Sequence, residues 1–141
     1  MAQHETVEDV MTRNPVALPE TAPALEAARK MRDAGIGDVV TLHDDMVSGI
    51  VTDRDIVVRC IAEGRDPRST TLSEIASRDL TTMAPGDKVS TAVRLMRERA
   101  IRRLLVVKDG RPVGILSMGD LAVQRDPDSA LADVSAARPN V

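Results

Sequence analysis

Gly49-Ile50-Val51-Thr52-Asp53-Arg54-Asp55 and Gly114-Ile115-Leu116-Ser117-Met118-Gly119-Asp120 follow one pattern: glycine, two apolar residues, a hydroxyl residue, two variable positions and an aspartate. They stand 65 positions apart, and at that offset the chain aligns with itself without a gap. Val10-Met11 falls on Ile75-Ala76, Met31 on Met96 and Ile36 on Ile101. What recurs is apolar positions, turn residues and one carboxylate, as a shared scaffold requires. The chain therefore reads as two repeats, 7–62 and 72–124, joined by a polar, turn-rich linker at 63–71 and followed by a tail at 125–141.

Within each repeat the periodicity changes in the same order. Thr6-Val7-Glu8-Asp9 has the spacing of a capping box, in which side chains satisfy the unpaired N–H groups of a short helix. Asn14-Pro15 is expected to end that helix, because a residue before proline is pushed out of the α region. Val16 to Leu18 reads as a short strand. Ala24, Ala27, Ala28 and Met31 then share one helical face, repeated by Val89, Ala92, Val93 and Met96. Gly35 is placed to stop the first of these helices in a left-handed conformation. Val39 to Leu42 and Leu104 to Val107 are apolar runs of strand length, followed by the turn signals Asp44-Asp45 and Asp109-Gly110. A returning strand ends at Ile50-Val51 or Ile115-Leu116, and a second helix begins at Thr52 or Ser117.

The predicted fold class is thus α+β, two tandem β-α-β-β-α repeats. One three-stranded sheet with a single helical layer cannot cover both of its faces, so the expected arrangement is sheet against sheet about a pseudo-twofold axis. Beyond Gln124 the pattern decays into a loose tail or a short helix from Ser129 to Ala137.

The doubled motif supports two readings. Thr/Ser-x-x-Asp is a capping box in its own right, with the hydroxyl capping the helix and the acid closing the reciprocal bond. The same geometry suits a ligand. A helix N-terminus offers N–H groups and a positive dipole end to a phosphate, and an aspartate one turn in can accept from a ribose diol. On this reading the glycine lets the backbone approach the ligand.

The gapless repeat and the doubled motif together resemble a pair of CBS (cystathionine-β-synthase-type) domains, over about residues 7 to 124. The resemblance implies a regulatory module that binds an adenine nucleotide (AMP, ADP or ATP) or S-adenosylmethionine as ligand, with no cofactor required. It implies Thr52 with Asp55 in one site and Ser117 with Asp120 in the other, contacting phosphate and ribose. It also implies an apolar adenine cleft at Val16, Val39 and Val40 in one half and at Thr81, Leu104 and Leu105 in the other. The family often has proline where this chain has Val40 and Leu105. Members commonly pair, so a homodimer is expected, with output through an unknown protein partner or a change of oligomer. A structural or interaction protein that has lost ligand binding is the alternative.

The halves differ in charge. Arg102 and Arg103 stand where repeat one has Gly37 and Asp38, and arginines there can reach a polyphosphate or point to solvent. Arg54, inside the first motif, faces the same choice, and its counterpart Gly119 has no side chain. Two clefts but one good nucleotide site are the expectation.

Composition narrows the function classes. A net charge of -3 is unsuited to nucleic acid, whose binders need a basic surface. The chain has no Phe, Tyr or Trp, so no base can stack on a ring. Cys60 is the sole cysteine, which rules out an internal disulfide and reads as a buried helical thiol beside Val57, Val58 and Ile61. His4 and His43 are too far apart in sequence and too poorly accompanied for a metal site. No nucleophile and base converge in any motif, so no catalytic residue is assigned and no enzyme is expected. Met1 to Glu5 lack a signal-peptide profile and no apolar run is long enough to span a bilayer, so the expected location is cytoplasmic.

Overall fold

Two tight turns organise the chain. Asp44 and Asp45 have φ of 50° and 65°, and Asp109 and Gly110 have 53° and 77°. Positive φ at both central residues gives the twist that two-residue hairpins need. The computed structural model describes residues 6–125. The helix considered between Ser129 and Ala137 lies outside the described residues, as does His4. The elements are α1 (Val7–Val10), β1 (Thr12–Arg13), β2 (Ala17–Pro19), α2 (Ala24–Ala34), β3 (Asp38–His43), β4 (Met46–Thr52) and α3 (Asp53–Asp55), which continues into a π-helical segment (Ile56–Ile61). After these come α4 (Leu72–Ile75), β5 (Thr82–Met83), α5 (Val89–Arg99), β6 (Arg103–Lys108), β7 (Arg111–Ser117) and α6 (Met118–Arg125).

The fold is mixed α+β with two sheets. The β3–β4 hairpin closes at His43 opposite Met46, and β6–β7 at Lys108 opposite Arg111. The strand before each hairpin joins in parallel, β2 on β3 and β5 on β6. One sheet has three strands, β2-β3-β4. The other has four, because β1 adds antiparallel to β7 through Thr12 opposite Ile115 and Arg13 opposite Gly114. That fourth strand differs from the three expected. Helix α1 ends at Val10, ahead of Asn14-Pro15, and the residues between are drawn into the sheet.

The compact units are cut differently from the repeats. One is Pro15–Leu80, and the other combines 6–14 with 81–125 among the described residues. The short helix that opens each repeat is built into the unit of the other repeat. In one direction the Val7 N–H donates to the Asp87 carbonyl at 2.8 Å, and the Glu8 N–H to Pro85 at 3.0 Å. In the other, the Leu72 N–H donates to Ala22 and the Ser73 N–H to Glu20, both at 2.9 Å. The two sets are the same bonds displaced by the repeat. Burial is the reason. Val7, Leu72 and Ile75 are completely buried, and four-residue helices have no stability without such packing.

Each unit has its own core on the helical face of its sheet. In Pro15–Leu80, Val39 and Val51 of the sheet meet Ala24, Ala27 and Met31 of α2, Ile56 and Cys60 of the π-helical segment, and Leu72 and Ile75 of α4. In the other unit, Leu104, Val106 and Leu116 meet Val89, Ala92 and Met96 of α5, with Val7 and Leu121. Cys60 is buried as expected, but its neighbours Val57, Val58 and Ile61 are exposed. Among the described residues, no helix is long and apolar enough to cross a membrane.

The long helices end alike but on different residues. Gly35 caps α2 at φ 66°, and Ala100 caps α5 at φ 52°. Left-handed backbone costs a residue with a Cβ about 1–2 kcal/mol that glycine escapes. Gly35→Ala is therefore expected to lower stability by about 1 kcal/mol, and Ala100→Gly to raise it by somewhat less, since glycine also loosens the unfolded chain. Urea unfolding of the two variants checks both signs.

Candidate ligand site

In Pro15–Leu80 the motif sits where β4 hands over to α3. Thr52 is extended, and its hydroxyl accepts from the Asp55 N–H at 3.1 Å while Asp55 Oδ2 accepts from the Thr52 N–H at 2.9 Å. Asp55 Oδ1 lies 3.8 Å from Arg59 Nε, a separation beyond a hydrogen bond. The start of β3 adjoins this turn. Asp38 is opposite Thr52 in the ladder, and the Gly37 carbonyl accepts from the Asp53 N–H at 3.0 Å. The Val40 N–H donates to the Val16 carbonyl at 2.9 Å, which ties the strand before α2 to the same sheet end.

The second unit repeats this geometry with one added bond. The Asp120 N–H donates to Ser117 Oγ at 3.0 Å, and Ser117 N–H to Asp120 Oδ2 at 2.9 Å. The Met118 N–H reaches the Arg102 carbonyl at 2.8 Å, and Leu105 N–H the Thr81 carbonyl at 3.4 Å. Here, however, the Thr12 hydroxyl from β1 also donates to Asp120, 3.2 Å from Oδ1. Ser77 takes the place of Thr12 in the first unit, bridging Ile50 through its backbone.

Each half thus brings its hydroxyl, its acid and the two strands expected to flank an adenine to one sheet end. The side chains of Val39 and Leu104 do not join them, since both belong to the cores beneath the helices. Val40 and Leu105 are buried outside those clusters, one residue along and hence on the other sheet face. Arg54, Arg102 and Arg103 are exposed. Thr81 is half-buried, and its hydroxyl accepts from Arg99 at 3.0 Å.

The motif's glycine has a reason other than the one expected from sequence. A Cβ on Gly49 would lie 2.8 Å from the Ser77 carbonyl oxygen, and one on Gly114 would collide with Met11. These glycines make room for the segment that follows the exchanged short helix. Thr12, Arg59 and Arg99 are the neighbours that sequence reading did not single out. Arg59 had a signal, one helical turn beyond Asp55, whereas nothing local links Thr12 to residue 120.

The capping box itself is not confined to the motif. Thr6 with Asp9 closes α1, and Thr71 with Glu74 closes α4, where the Thr71 N–H reaches Glu74 at 2.7 Å. The Thr71 backbone and hydroxyl, followed by Arg65, hold the Glu74 carboxyl below its ordinary range. Among the described residues, no three His, Cys, Asp or Glu side chains are grouped to hold a metal ion.

Comparison with known proteins agrees with this architecture. The CBS domain model matches residues 7–61 and again 72–124. The CBS domain-containing protein YhcV of Bacillus subtilis is 34% identical over 134 residues, covering 92% of this chain and 95% of that protein. A protein of Methanopyrus kandleri is 38% identical over 115 residues, 80% of this chain, and the match spans only 56% of that relative's length. The crystal structure of Hypoxic Response Protein I, solved with two coordinated zinc ions, superposes with a TM-score of 0.74 at 31% identity, over 83% of this chain and 96% of that one. A CBS domain pair solved with 5′-methylthioadenosine and S-adenosyl-L-methionine has a TM-score of 0.75 at 23% identity, over 88% of this chain and 98% of that one, a likeness of fold.

The hydroxyl caps make a direct prediction. Thr52→Ala and Ser117→Ala should each cost about 1 kcal/mol. Thr12→Ala should cost stability only while Asp120 is present, and a double-mutant cycle by chemical denaturation should return a coupling of about 0.5 kcal/mol or more.

Proposed function

The chain belongs to the CBS-domain family as a tandem pair, and from that premise we propose that it is a regulatory, non-enzymatic module that binds an adenosine-type ligand. The observation that carries this reading is the convergence in each unit of hydroxyl, acid and paired strand ends on one edge of the sheet. Ligand would act by population shift, favouring one conformation of the chain by its differential affinity. The likeness of fold to the pair solved with adenosine compounds supports this class of ligand.

The two halves are proposed to differ in affinity. Asp120 Oδ1 already accepts from Thr12, so a ribose diol must compete with that bond. Among the described residues, the contact to Asp55 Oδ1 is the longer one from Arg59 Nε at 3.8 Å. The Thr52–Asp55 site is therefore assigned as the principal one. Recurrence of the same capping box at α1 and α4 favours a second reading, an interaction protein whose motif is scaffold alone.

Calorimetric and thermal titration with AMP, ADP, ATP and S-adenosylmethionine separates the readings. A true ligand at a hundred times its dissociation constant should add about 2.7 kcal/mol to stability. Asp55→Ala should remove that increment and Asp120→Ala should leave most of it. Silence with the whole panel would leave the scaffold reading standing.

A homodimer is part of the proposal. Val57, Val58 and Ile61 are 58%, 43% and 54% exposed on one helical segment, an apolar row that water does not favour. Val58→Glu should shift sedimentation toward the monomer without loss of folded signal, and an unchanged sedimentation coefficient would remove this row from the interface.

A further inference from the structure

The two compact units carry opposite charge. Pro15–Leu80 has twelve acidic and eight basic residues, whereas 6–14 with 81–125 has six acidic and ten basic. Each unit also leaves apolar surface uncovered, in a different form. Val57, Val58 and Ile61 of the π-helical segment stand out from the acidic unit. The basic unit has instead a recess of about 450 Å³ between α5 and α6. Met96 and Leu121, both buried, line it together with the more accessible Val93, Ile101, Met118 and Ala122. Arg97, which is exposed, is its one charged member.

Row and recess occupy matching places in the two repeats. At the repeat offset Val57 falls on Ala122 and Asp53 on Met118. One helix projects a branched side chain where the other has a single methyl group. It also sets a carboxylate where the other has a thioether. The acidic unit therefore projects at the position where the basic unit is hollow, and the hollow is apolar in the basic unit alone.

We propose that the occupant of the α5–α6 recess is a second copy of this chain, whose row of Val57, Val58 and Ile61 seats in it. The acidic unit of each copy then faces the basic unit of the other. The inference rests on the homodimer reading above and is independent of the ligand reading. Row against row would leave the recess open and set two units of negative sign together. Recess against recess would enclose a void between two units of positive sign. Row in recess covers both apolar surfaces and brings opposite signs together. Each copy offers one of each, so a twofold pair uses all four.

The test uses the full chain, whose native Cys60 is completely buried and serves as an unreactive background. Val58→Cys chains are mixed with Ala122→Cys chains that differ in mass by a tag, and the mixture is gently oxidised. The mixed disulfide should dominate over either disulfide between like chains. Ile61→Cys with Val93→Cys is a second pair, so that an unsuitable angle at one pair does not decide the outcome. Ala122→Met, which fills the recess from within, should raise the dissociation constant of the dimer about tenfold or more by sedimentation. Association should also weaken as sodium chloride rises from about 50 to about 500 mM, because opposite charges are screened. A Val58→Cys disulfide between like chains that outpaces the mixed one overturns the seating and leaves the dimer standing. So does a dimer that forms neither mixed disulfide, the result expected if residues 126–141 or another protein fill the recess, or one that Ala122→Met leaves as tight as before. A chain that sediments as a monomer at every concentration overturns the dimer and the seating together.

Discussion

Everything in this structure depends on where two four-residue helices are buried. α1 and α4 are too short to hold themselves together, and each completes the core of the unit that the other repeat begins. The exchange is reciprocal down to single hydrogen bonds, Val7 to Asp87 in one direction and Leu72 to Ala22 in the other. It also dictates residues elsewhere. Gly49 and Gly114 lack side chains because the segment leaving each exchanged helix runs against them. The fourth strand exists because Thr12 and Arg13 continue from α1 onto β7.

The features readable from sequence are those with local causes. The Asp44-Asp45 and Asp109-Gly110 hairpins, the left-handed Gly35 and the Thr-x-x-Asp caps need only neighbours in the chain, and all appear where their chemistry puts them. The gapless repeat supplied the element order, because both halves had to satisfy one pattern. What stayed hidden was non-local. No periodicity tells Thr12 that its partner is Ile115, and none separates Val39, in the helical core, from Val40 on the other face until the register is known. Ala100 in a left-handed cap was similarly unannounced, since nothing but glycine or asparagine signals that position.

On the proposed reading, one set of bonds in the motif serves stability and recognition together. In both units the acid is oriented by its own helix N-terminus, with one oxygen committed to the backbone. The second oxygen decides the difference between the halves. At Asp120 it accepts from a hydroxyl that the exchanged segment delivers, and at Asp55 it looks toward a longer and looser arginine contact. An oriented carboxylate with one spare lone-pair direction is a pre-organised acceptor, and pre-organisation is what lets a small contact discriminate.

The exchange of the short helices has a consequence for biosynthesis. A chain emerges from the ribosome N-terminus first, and domains commonly fold as they appear. Here α1 and β1 precede the whole of Pro15–Leu80, yet β1 pairs with β7, which follows it. The unit Pro15–Leu80, by contrast, has all its elements once α4 has emerged. The nascent chain must therefore carry Val7 and Met11 without their core until β6 and β7 have emerged, by which time Pro15–Leu80 is complete. Sequence order and folding order are nested rather than consecutive.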